Sequence, residues 1–202
     1  MLELTATQLL VLEWAAVVLN IGFTIGIAWN MRWGWLLGIV ASCIGVSLYA
    51  YKGAWAMTVL NAFYAVMGVY GYVAWGRSSD QGRIRRWPFG THLLVLVSGF
   101  LLTRLLACLL SEHLNGTLPG MDAFISVFGF VATWMMAHRL LENWLYWTIG
   151  DVVAIYFNWV LGYEGYALLN GVYVVFSVVG LVRWYREWRE QGPRSTEPTL
   201  AN

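Results

Sequence analysis

Residues 142–159 read ENWLYWTIGDVVAIYFNW, a stretch that could cross a bilayer as a helix were it not for the carboxylate of Asp151 in its middle. Counted from Asn143, near one membrane face, a rise of 1.5 Å per residue carries Asp151 about 12 Å into a hydrocarbon core about 30 Å thick. Trp144, Trp147, Asp151 and Asn158 follow one another by 3, 4 and 7 residues, so all four share one helical face. A lipid-facing carboxylate there costs several kcal/mol, so this face is expected to point into a helix bundle or a hydrated cavity.

The rest of the chain supports a membrane setting. It has 202 residues, of which 59% are hydrophobic and 11% charged, whereas soluble domains carry about 25% charged residues. Apolar runs of helical rather than alternating pattern lie at about 9–29, 33–51, 54–75, 91–110, 121–137, 144–163 and 165–184, which predicts seven spans. In hydrocarbon each must satisfy its own backbone polar groups, so they are read as α-helices. Glu13 interrupts the first run, which is therefore read as a retained span rather than a signal peptide. Cys43 and Cys108 fall inside spans and are expected to be buried small hydrophobes.

Of the 12 basic residues, all but Lys52 and Arg104 fall on one side of a seven-span topology. They lie in the 30–32 turn, the 76–90 loop that includes Arg77, the 138–143 turn, and the tail that includes Arg194. Basic residues mark the cytoplasmic face, which predicts an outside N-terminus and a cytoplasmic C-terminus. Because these arginines flank helix ends, they are read as topology signals rather than a nucleic-acid patch.

An internal repeat is also visible. Residues 54–75 align with 164–184 at an offset of 109, matching Asn61 to Asn170, Tyr64 to Tyr173 and Trp75 to Trp184. Upstream, an offset of 112 matches Trp35 to Trp147, Gly38 to Gly150 and Gly53 to Gly165. The expected fold is thus all-α and integral to the membrane: a seven-helix domain over 1–185 and a disordered cytoplasmic tail over 186–202. Its two parallel three-helix repeats, 9–75 and 121–184, are joined by a linker helix at 91–110, a 3+1+3 plan. Parallel repeats of this kind occur in small-solute carriers, with the substrate near the midplane.

The candidate substrate-binding residues are the polar and aromatic side chains that such a plan brings inward. They are Trp144, Trp147, Asp151 and Asn158 in the sixth span; Glu13 and Asn20 in the first, on one face with Thr24; and Asn61, Tyr64, Asn170 and Tyr173 in the third and seventh. Trp29, Trp33, Trp55, Trp75, Trp184 and Trp188 sit at span ends and read as interfacial anchors. Arg104 could pair with Glu13 or snorkel to the interface, and Asp122 could cap the fifth helix. Aromatic faces with one carboxylate suit a flat cationic heterocycle; asparagines suit its hydroxyl or amide groups. No basic residue lies near the midplane to receive a phosphate. No cofactor or metal is called for, since His92, His113 and His138 lie near span ends on different helices. The lone lysine, Lys52, sits in a turn, which argues against a retinal protein.

The start of the sixth span, with Glu142, Asn143, Trp144 and Trp147, together with YGYVAWGR at 70–77 and the three-one-three helices, resembles the PnuC-type vitamin transporters. The resemblance implies a fold similar to the SWEET sugar transporters and facilitated diffusion of an unphosphorylated vitamin across the inner (plasma) membrane, followed by trapping by a cytoplasmic kinase. It implies stacking by Trp144, Trp147 and Tyr64, hydrogen bonds from Asn61 and Asn170, and a counter-charge from Asp151. Nicotinamide riboside carriers of this kind commonly have glutamine where Asn61 stands and asparagine where Asp151 stands. Both places should touch substrate, so nicotinamide riboside, the expected substrate, has thiamine or another vitamin or nucleoside as its alternative. Proton coupling through Glu13 or Asp151 and assembly as a homo-oligomer stay open.

Overall fold

The computed structural model describes residues 5–76, 83–113 and 118–191. These fold as seven helices: α1 (Ala6–Ala28), α2 (Gly34–Tyr51), α3 (Trp55–Ala74), α4 (Phe89–His113), α5 (Pro119–Ala137), α6 (Asn143–Val160) and α7 (Glu164–Glu190). Arg77 and Arg194 lie outside the described residues, as do positions 192–202 of the expected disordered tail. Of that tail, residues 186–190 continue α7 as helix.

Six of the helices are long and apolar enough to cross a membrane, and α6 is not among them. The sequence-based expectation of seven apolar spans therefore stands for six. The exception has the length, 18 residues, but it carries Asn143, Asp151 and Asn158, all buried. Its polarity faces protein and cavity rather than lipid, which is how a helix spans without being apolar all round. The protein is a multi-pass membrane protein.

Packing follows a ring. The helix contacts run α1·α2, α2·α3, α3·α5, α5·α6, α6·α7 and back through α1·α7, while α4 packs on α5 outside the ring. Consistent with that position, α4 has the highest mean hydropathy of the six, 2.4, and the smallest buried share, 17%. Cys43 and Cys108, expected to be buried, are instead exposed on outward helix faces.

The turns and contacts recur at a spacing of 109. Asn30 and Arg139 both have positive φ, at 57° and 53°, and the Arg139 Nε donates to Asn30 Oδ1 at 3.0 Å. Gly53 and Gly162 hold φ of 69° and 74° just after α2 and α6, a region that glycine enters without Cβ strain. Trp35 packs over Gly71, and Trp144 packs over Gly180, where a Cβ would come within 2.6 Å of the indole. The turn of Gly53 thus recurs at Gly162 rather than Gly165, and the position of Trp35 recurs at Trp144 rather than Trp147. These recurrences have a spacing of 109 and do not follow the 112 expected upstream.

Two carboxylates tie the ring at its α1·α7 and α3·α5 seams. Glu13 in α1 accepts the backbone N–H of Tyr166 at 3.2 Å, and Asp122 in α5 accepts that of Met57 at 3.0 Å. Both donors sit in the first turn of a helix that has no side-chain cap of its own, so each carboxylate satisfies an amide that would otherwise be orphaned. Asp122 therefore serves α3, not the fifth helix it was expected to cap. Glu13 is not paired with Arg104, which is exposed on α4. Glu13→Ala and Asp122→Ala should each cost about 1–3 kcal/mol through a buried unsatisfied N–H. Thermal unfolding in detergent should show two similar losses that add in the double variant, with Glu13→Gln largely spared because it keeps an acceptor oxygen.

Candidate functional site

Inside the ring lie two adjoining cavities of about 100 and 90 Å³. Asn20, Ser42, Tyr64, Trp147, Asp151 and Tyr173 line both, so these six, from α1, α2, α3, α6 and α7, form the layer where the cavities meet. α5 completes the walls with Thr133 and Met136 on one side and Ile125 and Gly129 on the other.

Asp151 is the ninth of the 18 residues of α6 and is only 4% exposed. It has no hydrogen-bond or ion-pair partner among the described residues, although it borders both cavities. Beside it, Trp147 lies 5.9 Å from Tyr64 with the rings tilted by 55°, and the Trp147 Nε1 has no partner. The Tyr64 hydroxyl is held over Gly129, where a Cβ would fall within 2.6 Å of it. The layer therefore offers aromatic faces, a free indole N–H and an unpaired carboxylate. Among the described residues, no arginine or lysine lines either cavity.

The first cavity continues from this layer to Trp35 and Trp144. Beyond them, an aromatic cluster closes that end, with Trp75, Trp184 and Ile84 buried against the same pair. Trp144 and Trp184 meet edge to face at 5.4 Å, and Trp35 and Trp75 do so at 5.5 Å. Trp75 and Trp184, expected as interfacial anchors, are instead core residues at 9% and 0% exposure. Trp29, Trp33 and Trp55 are exposed, as anchors should be. Ile84 arrives from the segment before α4, which pairs with the α5–α6 turn through Arg85 N–H to Arg139 O and Leu141 N–H to Arg85 O, both 2.9 Å. Glu142 holds the same segment by accepting from Arg86 at 2.9 Å.

The second cavity is closed at the opposite end. Tyr49 donates to Asn158 Oδ1 at 2.8 Å and stacks on Tyr166 at 5.5 Å, and Tyr163 donates to the Leu48 carbonyl at 2.6 Å. Asn61 and Asn170 border this cavity alone; their side-chain amides donate to Met57 O and Tyr166 O, at 2.8 and 2.7 Å, one turn back on their own helices. Together the cavities fall short of the ~300 Å³ at which ligand pockets begin, so a vitamin-sized molecule needs more room than these walls leave.

Most of the residues singled out in the sequence converge here. Trp147, Asp151, Tyr64, Tyr173 and Asn20 form the shared layer, Trp144 bounds the first cavity, and Asn61, Asn170 and Asn158 bound the second. Glu13 does not join them: it borders neither cavity and is committed to the start of α7. Ser42, Thr133 and Ser177 line the first cavity and were missed, and Thr24, read as sharing a face with Asn20, lines it too. The signal that could have found Ser42 and Thr133 is the single spacing of 109, which sets Ser42 opposite Asp151 and Thr24 opposite Thr133; Ser177 falls opposite Gly68 and has no such signal.

Comparison with known proteins gives the family and the fold. The nicotinamide mononucleotide transporter family matches residues 10–186. The riboflavin/roseoflavin transporter RibM of Streptomyces davaonensis is 26% identical over 198 residues, covering 86% of this chain and 91% of that protein. The nicotinamide riboside transporter PnuC of Escherichia coli is 24% identical over 172 residues, covering 70% of this chain and 71% of that one. A crystal structure of the vitamin B3 transporter PnuC superposes with a TM-score of 0.76 at 19% identity, over 90% of this chain and 83% of that chain. With a ring of helices around a chamber lined by aromatic and polar side chains and a family match spanning nearly its whole length, the chain belongs to the nicotinamide mononucleotide transporter family, of the PnuC type, and is a membrane transporter.

Proposed function

We propose that the protein mediates facilitated uptake of an unphosphorylated, cationic heterocyclic vitamin, nicotinamide riboside, across the inner membrane. The observation that carries this reading is Asp151. An unpaired carboxylate at the junction of two cavities is costly until a cation or proton meets it, and the rings of Trp147 and Tyr64 beside it suit a flat cation. The absence of any arginine or lysine along the cavity walls disfavours a phosphate ester.

The same reading takes α1–α3 and α5–α7 as parallel repeats with α4 as linker, supported by the α3·α5 and α1·α7 seams and the recurring 109-residue spacing. It puts the N-terminus outside and the Trp35–Trp144 end at the cytoplasm, by the distribution of arginines. Transport then alternates: the tyrosine-lined end parts to admit substrate, and the tryptophan-lined end parts to release it to a cytoplasmic kinase that traps it as the phosphate.

Riboflavin is the second reading, favoured by the longer alignment with RibM. Thiamine is the other flat cation that the site suits. Calorimetric titration of the purified protein separates these readings. Nicotinamide riboside should bind about tenfold or more tighter than riboflavin, a difference of 1.4 kcal/mol or more, and nicotinamide mononucleotide should not bind detectably. Tighter riboflavin binding overturns the cation reading, and tighter thiamine binding changes the vitamin within it. In liposomes, substrate should equilibrate but not accumulate under a pH gradient; accumulation above the external level would replace facilitated diffusion with proton coupling.

A further inference from the structure

A groove of about 500 Å³ runs on the outer surface between α6 and α7 and shares no lining residue with the vitamin cavities. Leu141, Leu145, Leu181 and Val182 give it an apolar floor, and Arg86, Arg186 and Arg189 also line it. A second groove of about 450 Å³, between α4, α5 and α6, is lined by Leu96, Phe100 and Ile149 among others. Arg86, Glu142 and Leu145 line both grooves, so the two share one end.

The charge along the first groove is unbalanced. Glu142 is paired with Arg86 at 2.9 Å, with its side chain 9% exposed, and Glu187 is paired with Arg183 at 3.3 Å. Arg186 and Arg189 are exposed on α7 and have no hydrogen bond or ion pair among the described residues. The two grooves thus meet at the Arg86–Glu142 pair, and the first carries two further guanidinium groups, so its lining has positive charge in excess by two.

From this juxtaposition we infer that the protein binds an anionic glycerophospholipid, its phosphate held by Arg186 and Arg189 beside Arg86 and its acyl chains lying in the two grooves flanking Leu145. Guanidinium groups fit phosphate oxygens in paired hydrogen bonds, and basic pockets between membrane helices suit anionic head groups. A zwitterionic lipid would bring its own cation against the same arginines and bind less well. Phe128 and Tyr146 line both the second groove and the second vitamin cavity, so an acyl chain seated there packs against the back of the transport wall.

The test is native mass spectrometry of the full chain, reconstituted in equimolar phosphatidylglycerol and phosphatidylcholine and then partly stripped of lipid by detergent. Phosphatidylglycerol should be retained about tenfold or more over phosphatidylcholine, since each basic residue near an anionic surface contributes several-fold. Arg186→Gln with Arg189→Gln should bring the ratio close to one, whereas Arg183→Gln, on the same helix but outside the groove, should leave it unchanged. Equal retention of the two lipids by the unaltered protein overturns the inference. So does an equal loss in Arg183→Gln, which would make the preference a property of general surface charge. Efficient disulfide cross-linking of two copies through Val182→Cys also overturns it, making the groove an interface between copies.

Discussion

Replacing Asp151 with alanine weakens binding of nicotinamide riboside by about tenfold or more and lowers uptake at subsaturating substrate in proportion, a loss of at least 1.4 kcal/mol. The reasoning is local. Asp151 is 4% exposed and has no partner in the described protein, so a bound pyridinium would find the carboxylate undisputed by any arginine or lysine. Asp151→Asn keeps the shape and a hydrogen-bonding oxygen and should lose nearly as much if charge is what matters. Because the group has no protein partner to orphan, both variants should unfold at or above the temperature of the parent. Binding loss without stability loss marks a ligand-directed carboxylate; the reverse pattern would mark a structural one. Calorimetry and thermal unfolding on the same preparations read both.

The second large effect is on folding. A Cβ at Gly26 would fall 2.7 Å from the Gly34 Cα, and one at Gly34 would fall 3.1 Å from the Gly26 Cα. Backbone meets backbone here, so no side chain can rotate aside. Gly26→Val should separate α1 from α2 at the end of both helices, costing about 3 kcal/mol or more where ordinary overpacking costs 1–3. Loss of a monodisperse peak in size-exclusion chromatography is the expected result. Gly150→Ala, where a Cβ meets nothing within 4 Å, should fold as the parent does.

Much of this architecture was legible because the membrane imposes length and apolarity on each span. Helix number followed from the apolar runs, and the inward face of α6 followed from the spacing of Trp147, Asp151 and Asn158. That same face is why α6 falls short of the other six in apolarity. What escaped the sequence depended on partners distant in the chain. The partner of Glu13 is a main-chain amide 153 residues away, and no side-chain pattern announces it; a buried carboxylate in a first span reads equally as a substrate ligand. Asp122 misled in the same way, since a carboxylate in the first turn of α5 fits a local cap while its bond goes to Met57.

The tryptophans show a different limit. Trp75 and Trp184 stand near helix ends, where indoles anchor in the interface, but Gly71 and Gly180 clear space in which Trp35 and Trp144 pack and the four rings gather. Two tryptophans three residues apart in α6 also allowed Trp35 to be aligned with the wrong one. Turn conformation resolves the register: the positive φ values at Gly53 and Gly162 fix it at 109. The hydroxyls of Ser42 and Thr133 carry no individual signal in an apolar helix and become visible only once that register is known.

The central claim is that Asp151 meets the positive charge of the substrate inside the closed chamber. The most direct test is a binding cycle with nicotinamide riboside and its uncharged dihydro form, near-isosteric ligands that differ in ring charge, against the unaltered protein and Asp151→Asn. The account predicts that the unaltered protein prefers the cation by about tenfold or more and that Asp151→Asn abolishes the preference. An equal preference in both proteins would contradict it.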